Sequence, residues 1–280
     1  MAVSGLKVLH AIVKALRAYE ISTAVTLSPN MYDAFPMQDI LTDRVQIASP
    51  ELVAEDAEIF ADETSEIIIE EGVEVSSDVV ILASDHSTIR IGKDTFLDKR
   101  AHVFADEASV LNIGVECVVG NHTSMDSSEN SSMILGDRVH VDSRNIMGAS
   151  EQGVLFLGEE TTIGENGWFS ATAGGEIHLG NDNMLSLFIK MAVGNHELLE
   201  QKTGMLLTNR AAIHTEDHVW IGIGSTLLPG THLGESSVVG ASSVVTKAFP
   251  PHCTIAGNPA RVLREGISWQ REAMNHGTGV

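Results

Sequence analysis

The chain has 280 residues, enough for one large domain or two small ones, and a formal net charge of −21. This charge argues against nucleic acid or anionic membranes as general partners. Only 5% of the residues are aromatic whereas glycine occurs 25 times, which favours a β-rich fold over a helical bundle. The two cysteines, Cys117 and Cys253, have neither metal-binding nor redox spacing. We therefore predict a reducing, cytoplasmic compartment.

Residues 1–60 are predicted to form a short helix and an irregular lead-in. The helix is expected over residues 1–20, where apolar side chains share one face at Leu6, Leu9, Val13 and Leu16. Two basic residues interrupt this apolar run, which argues against a signal peptide and leaves a membrane-surface helix as the alternative. Residues 21–50 have no firm period and are predicted to cap the open end of the repeat that follows. No stretch reaches the roughly 18 apolar residues that a membrane span needs.

A 22-residue repeat follows this lead-in. Its first apolar position recurs at Ile69, Ile91, Ile113, Leu135, Leu157 and Leu179. After residue 213 the period becomes six, with aliphatic residues at Ile221, Leu227, Leu233, Val239 and Val245. One large and one small residue per hexad is typical of a triangular parallel β-helix, in which three hexads make one coil of 18 residues. We predict this solenoid over residues 61–265, with the four additional residues of each 22-residue unit in an outward turn. A closing helix, residues 267–275, is predicted within the final segment 266–280.

The outward turns of these units recur every 22 residues, and the last of them falls at the sequence 193-VGNHE. There the repeat is interrupted by a loop over residues 194–212 that contains His196. Solenoid faces are committed to stacking, so loops are the parts that can carry function. A neutral imidazole can accept a proton near neutral pH, which makes His196 the candidate general base. A solvated loop histidine is the alternative. His218 is the competing histidine and is predicted to be an outward surface residue, and His86 and Cys117 are predicted to be incidental and core residues, respectively.

The segment 217-DHVWIGIGSTLLPGTHLGESSVVGASSVVTKAFPPHCTIAGNPARVLRE-265 resembles the hexapeptide-repeat acyltransferases. Within them it is most similar to the galactoside and maltose O-acetyltransferases and their capsular or exopolysaccharide O-acetyltransferase relatives. The resemblance implies an all-β, left-handed parallel β-helix and a homotrimer with active sites between neighbouring prisms. It also implies acetyl-CoA as donor and a catalytic histidine at the position of His196. Relatives often carry an acidic residue just before that histidine, whereas this chain has Asn195, so the group that orients the imidazole is unassigned.

The resemblance also implies a donor site. The pantetheine arm of acetyl-CoA would pass Ile223 and Ala241 near Trp220. The phosphates and the adenine end would meet Thr246, Lys247, Arg261 and Arg264. Between Lys202 and Arg264 there are five basic residues against three acidic ones, and such local positive charge suits a confined anionic ligand.

The sequence therefore predicts an acetyl-CoA-dependent O-acetyltransferase that modifies a hydroxyl of a sugar, oligosaccharide or polysaccharide, with no metal. Three alternatives remain: N-acetylation of an amino sugar, a non-catalytic β-helix scaffold, and a metal-dependent hydratase similar to the γ-class carbonic anhydrases. That last class uses a histidine pair five residues apart. The twelve histidines of this chain include no such pair, and His214 and His218 are four residues apart.

Overall fold

The computed structural model describes residues 44–194, 198–204, 206–207 and 212–271. The predicted helix over residues 1–20 lies outside the described residues. The described part is a left-handed parallel β-helix, whose coils pass in turn through three sheets that we name A, B and C. It contains no α-helix, and one 3-10 turn, Pro50–Leu52, precedes the second strand. No helix in the described ranges is long and apolar enough to cross a membrane.

The strands stack in register from coil to coil. Sheet A contains Val45–Ile47, Glu66–Ile69, Thr88–Ile91, Val110–Ile113, Ser132–Leu135, Val154–Leu157, Glu176–Leu179, Ile213–Thr215, His232–Leu233 and Ala248–Phe249. Sheet B contains Glu74–Val75, Phe96–Leu97, Val118–Val119, His140–Val141, Thr162–Ile163, Met184–Leu185, Trp220–Ile221, Val238–Val239, Cys253–Gly257 and the antiparallel strand Ala260–Glu265. Sheet C contains Glu58–Ala61, Val80–Ala83, His102–Ala105, Ser124–Ser127, Ile146–Ala149, Trp168–Ala171, Lys190–Val193, Thr226–Leu227 and Val244–Val245.

The repeated aliphatic residues fill the interior as the sequence predicted. Ile91, Leu157 and Leu227 are each 0% exposed. The smaller residue of the hexad is buried at the turn between sheets, where its side chain satisfies the backbone: the Thr161 hydroxyl donates to the Gly180 carbonyl at 2.9 Å. Cys117 occupies an equivalent position, and burial raises the pKa of its thiol to about 11. This confirms Cys117 as a core residue.

The 22-residue coils differ from the predicted outward turns. Their sheet A and sheet C strands have four residues, whereas the later coils have strands of two or three. The longer strands add two inward positions per coil, and Ala83 and Ile89 at these positions are 0% exposed. Only two residues per coil, such as Asp85 and His86, form an exposed turn at the edge between sheets C and A. The prediction that all four additional residues bulge outward was therefore wrong, because they lengthen two faces of the prism.

The ends of the solenoid also depart from the sequence boundaries. The first described strand, Val45–Ile47, pairs in parallel with Glu66–Ile69. The solenoid therefore begins before residue 61, the predicted start. At the other end, residues 267–271 of the predicted closing helix are not helical, and residues 272–275 lie outside the described residues. The segment 266–271 instead runs along the edge between sheets A and B, where Ile267 donates its N–H to the His252 carbonyl at 2.9 Å.

Candidate active site

The predicted loop leaves the solenoid at Gly194, directly after the sheet C strand Lys190–Val193. Gly194 has a φ of +92°, and a Cβ atom there would lie 2.1 Å from the carbonyl oxygen of Thr172, so only glycine fits. The loop folds back on itself through a short antiparallel pair, Leu198–Leu199 with Leu206–Leu207. It rejoins the stack where the Ala212 carbonyl accepts the Gly230 N–H at 3.0 Å. The loop is therefore anchored at the edge between sheets C and A.

The candidate base itself, His196, lies outside the described residues, as does Asn195 before it. Within the described part of the loop, Gly204 donates its N–H to the Glu200 carbonyl at 2.8 Å, and the Thr203 hydroxyl bonds to the Glu200 carboxylate. These bonds close the turn between the two short strands. The catalytic role of His196 stays a prediction.

Three of the predicted donor-site residues lie in successive coils on and beside the edge between sheets B and C. Ser242, next to Ala241, donates its N–H to the Ile223 carbonyl at 2.8 Å, which stacks the two turns. Trp220 begins the sheet B strand Trp220–Ile221, three residues before Ile223, and its indole N–H donates to the Ser186 hydroxyl at 3.3 Å. The side chain of Ile223 is 45% exposed. The structure therefore brings Trp220, Ile223 and Ala241 together on one side of the prism.

The sequence interpretation missed two apolar residues on that same edge. Leu187 and Phe188 form the turn directly below Ile223, because Gly224 donates its N–H to the Leu187 carbonyl at 2.9 Å. They are 39% and 49% exposed. In the coil below, the corresponding turn carries the polar pair Glu165 and Asn166. An apolar pair at a turn position that is polar in the earlier coils was the available signal.

The four residues predicted to meet the phosphates and the adenine end occupy two other places in the last coils. Thr246 and Lys247 form the turn between sheets C and A, and the Lys247 ammonium lies 5.4 Å from the centre of the Phe249 ring. Arg261 and Arg264 lie on the outermost strand, Ala260–Glu265, beyond sheet B. All four side chains are exposed. Across the described ranges, no carboxylate forms an ion pair with Lys247, Arg261 or Arg264.

His218 points out of the prism as predicted, but the prediction of a surface residue was wrong, because Trp269 covers its imidazole. Its Nδ1 atom lies 2.5 Å from the Asp182 carboxylate, and its Nε2 atom lies 3.0 Å from the Trp269 carbonyl oxygen. The Trp269 indole stacks on the imidazole with ring centres 4.1 Å apart and planes 9° apart. Burial alone would lower the pKa of His218, but the bonds to Trp269 and Asp182 raise it above its ordinary value. Both nitrogens donate to fixed acceptors, so His218 is poorly suited to accept a proton as a general base.

Sequence comparison identifies similar proteins of known class. No family model matches the chain. It is 37% identical over 89 residues to a putative acetyltransferase of Schizosaccharomyces pombe, covering 32% of this chain and 43% of that protein. It is 33% identical over 91 residues to the galactoside O-acetyltransferase of Escherichia coli K12, covering 32% of this chain and 44% of that protein. The aligned segments thus span less than half the length of each relative.

The chain resembles the hexapeptide-repeat acyltransferases. A shorter match of 53 residues, 49% identical, covers 19% of this chain and 27% of a putative acetyltransferase of Staphylococcus aureus (strain COL). The fold agrees with this class. The crystal structure of the UDP-N-acetylglucosamine O-acyltransferase of Moraxella catarrhalis superposes with a TM-score of 0.51 at 16% identity, over 75% of this chain and 73% of that one.

The histidines of sheet A are the residues that the metal-dependent alternative would need. His178, His214 and His232 lie in register on successive strands. The rings of His178 and His214 stack with centres 4.8 Å apart and planes 3° apart, so their nitrogens do not converge on one point. Burial and the flanking imidazoles lower the pKa of His214. Within the described ranges, no group of three or more His, Cys, Asp or Glu residues could hold a metal ion.

Proposed function

We propose that the protein is an acetyl-CoA-dependent O-acetyltransferase that modifies a sugar, an oligosaccharide or a polysaccharide, with His196 as general base. The observation that supports the donor most directly is the exposed apolar edge between sheets B and C, where Phe188, Ile223 and Ala241 lie in successive coils. An extended, largely apolar pantetheine arm suits such an edge. The exposed cations of the last coils suit the phosphates. The galactoside O-acetyltransferase among the relatives supports a sugar acceptor.

In this mechanism His196 removes the proton from the acceptor hydroxyl as that oxygen attacks the thioester carbonyl. Backbone N–H groups near the loop stabilise the negative charge on the carbonyl oxygen. The C–S bond then breaks, the acetyl group stays on the sugar oxygen, and the imidazolium returns its proton to the leaving thiolate. Because the alcohol attacks directly, the chain needs no nucleophile of its own.

The proposal includes a homotrimer, and exposed apolar side chains support it. Six of them lie on or beside the edge between sheets B and C: Ile146, Trp168, Leu187, Phe188, Trp220 and Ile223, each 36–50% exposed. A contiguous apolar surface of this kind favours association. Size-exclusion chromatography with light scattering should give three times the chain mass of 30.0 kDa. A monomer at micromolar concentration would contradict the trimer.

The first test is release of the CoA thiol from acetyl-CoA in the presence of a panel of sugars, oligosaccharides, polysaccharides and amino sugars. Acceptor-dependent thiol release, with an acetyl ester in the product, is the expected result. An amide product would assign N-acetylation instead. Failure to bind acetyl-CoA, measured by calorimetry, would contradict the enzyme and favour the scaffold.

Arg264→Ala is expected to raise the KM for acetyl-CoA about fivefold to tenfold with little change in kcat, because a lost charge-assisted contact to phosphate weakens binding and leaves the chemistry intact. Arg90→Ala is the matched control, since Arg90 is also exposed but pairs with Glu70 on sheet A, far along the chain from the donor-site residues. Steady-state kinetics at two salt concentrations would measure both variants. If Arg264→Ala and Arg90→Ala changed the KM for acetyl-CoA equally, the assignment of Arg264 to the donor site would be contradicted.

A further inference from the structure

Residues 266–271, which we name the strap, follow the strand Ala260–Glu265 and cross the turns of successive coils at the edge between sheets A and B. These turns are aligned one above another and each contains a residue with positive φ: Glu160 at 59°, Asp182 at 52°, His218 at 56°, Ser236 at 57° and His252 at 56°. The strap bonds to the His252 turn through Ile267 and to the His218 turn through Trp269. It therefore runs along the axis of the solenoid, across its coils.

Arg271 fastens the lower end of the strap. Its Nε–H donates to the Asp182 carboxylate at 2.5 Å and its Nη1–H to the Thr162 hydroxyl at 3.0 Å. Its Nη2 group donates to the carbonyl oxygens of Glu160 and Asn183, each at 2.9 Å. A planar guanidinium with several fixed acceptors is held in one orientation. This one side chain joins the turns of two neighbouring coils.

Trp269 connects the strap to the donor-site candidates. Its indole stacks on His218 and its N–H donates to the His218 carbonyl at 2.8 Å. Its ring centre also lies 6.0 Å from that of Trp220, with planes 44° apart, as in a tilted aromatic pair. The strap therefore packs against Trp220 and continues directly from the strand that carries Arg261 and Arg264.

We propose that the strap holds the acetyl-CoA donor site in its binding conformation, with Arg271, Asp182 and His218 as positioning residues. This inference rests on the proposed function. The strand Ala260–Glu265 is an edge strand of sheet B, paired on one side to Cys253–Gly257, and the strap fixes its far end. An edge strand ordered before binding loses less conformational entropy when the donor binds. Loosening the strap therefore weakens donor binding more than it slows acetyl transfer.

The strap also responds to pH. Three groups surround the His218 imidazole: the Asp182 carboxylate, the Arg271 guanidinium and the Trp269 carbonyl. Burial lowers the pKa of His218, but the bonds to Trp269 and Asp182 outweigh it and raise the pKa. A raised folded-state pKa means that the stabilisation is complete below the unfolded value and is lost as pH rises through the folded value. The KM for acetyl-CoA should therefore rise on the alkaline side of this pKa.

The test compares Arg271→Ala, Arg271→Lys and the control Arg90→Ala, all in a Trp168→Phe background so that Trp220 and Trp269 provide the emission. Arg90 is likewise exposed and paired to a neighbouring coil, through Glu70, but it lies on sheet A in an early coil, away from the strap and from the edge between sheets B and C. We expect Arg271→Ala to increase acrylamide quenching of tryptophan fluorescence and to raise the KM for acetyl-CoA about tenfold, with kcat within twofold. The quenching and the KM of Arg271→Lys should lie between those of the parent and of Arg271→Ala, because lysine keeps the positive charge but cannot make the several hydrogen bonds of the planar guanidinium. The control should match its parent.

Two further measurements make the result decisive. Asp182→Asn, which keeps the shape of the side chain, should flatten the alkaline rise of the donor KM and provides a second variant if Arg271→Ala does not fold by circular dichroism. Increased quenching with an unchanged KM would overturn the proposal, because the strap would then be structural only. Unchanged quenching in Arg271→Ala would also overturn it. A parent protein that does not bind acetyl-CoA would instead refute the proposed function, and quenching would still report whether the strap forms.

Discussion

Replacing His196 with alanine is expected to lower kcat for acetyl transfer by at least about a hundredfold, the usual minimum contribution of a positioned general base. The KM for acetyl-CoA should change little, since the imidazole acts on the acceptor hydroxyl and the donor is held by other residues. A change confined to kcat is the pattern expected when an interaction exists only in the transition state. Thiol release at saturating acetyl-CoA, with whichever acceptor the panel identifies, would measure it.

His86→Ala is the matched control for this variant. His86 occupies the turn between sheets C and A five 22-residue units before His196, and its side chain is 69% exposed and contacts Asp85 beside it. It has no extended loop, so its loss should leave kcat unchanged. Full activity of His196→Ala would show that the base lies elsewhere. His218 would be a poor substitute, because both of its nitrogens are already bonded to acceptors.

The interior of the fold was largely predictable because a period of six specifies which residues point inward. Leu157 and Val239 belong to coils of different length, yet both follow that rule and are buried. The shape of the longer coils was not predictable in the same way. Ala83 and Ser87 are small enough for either an exposed turn or a narrow interior, so their residue types do not decide between the two. Both are buried because the equivalent residues of the coils above and below pack against them.

The site was predictable where contacts are local or periodic. Ile223 and Ala241 lie 18 residues apart, one short coil, so they stack. His218 was mistaken because its partners are far away in the chain: Trp269 is 51 residues later and Asp182 is 36 residues earlier. No hexad pattern encodes a segment that crosses the coils. A tryptophan and an arginine two residues apart, just beyond the repeat, were the available sign of such a segment.

Phe169→Ala is expected to lower the free energy of unfolding by about 3–5 kcal/mol, the usual cost of a large cavity in a core that cannot collapse. Phe169 is 0% exposed and lies in the sheet C strand Trp168–Ala171. Space for its ring depends on Gly167, where a Cβ atom would lie 2.6 Å from the ring. The coils above and below hold the surrounding walls in place through their strand ladders, so relaxation into the cavity is limited. Chemical denaturation followed by circular dichroism would measure the loss.

Trp168→Ala provides the comparison, because the two residues are adjacent and their side chains point to opposite faces of the same strand. Trp168 is 50% exposed, so its truncation in the isolated chain should cost much less than that of Phe169. Both variants remove an aromatic side chain from the same strand, so the loss of strand preference is similar in each. The difference between their free energies of unfolding therefore measures the contribution of interior packing. If Trp168 is part of the proposed trimer surface, its loss should weaken association while the folded chain stays stable, which concentration-dependent unfolding would reveal. Equal destabilisation of the dilute monomer by both variants would instead mean that Phe169 does not fill a rigid interior.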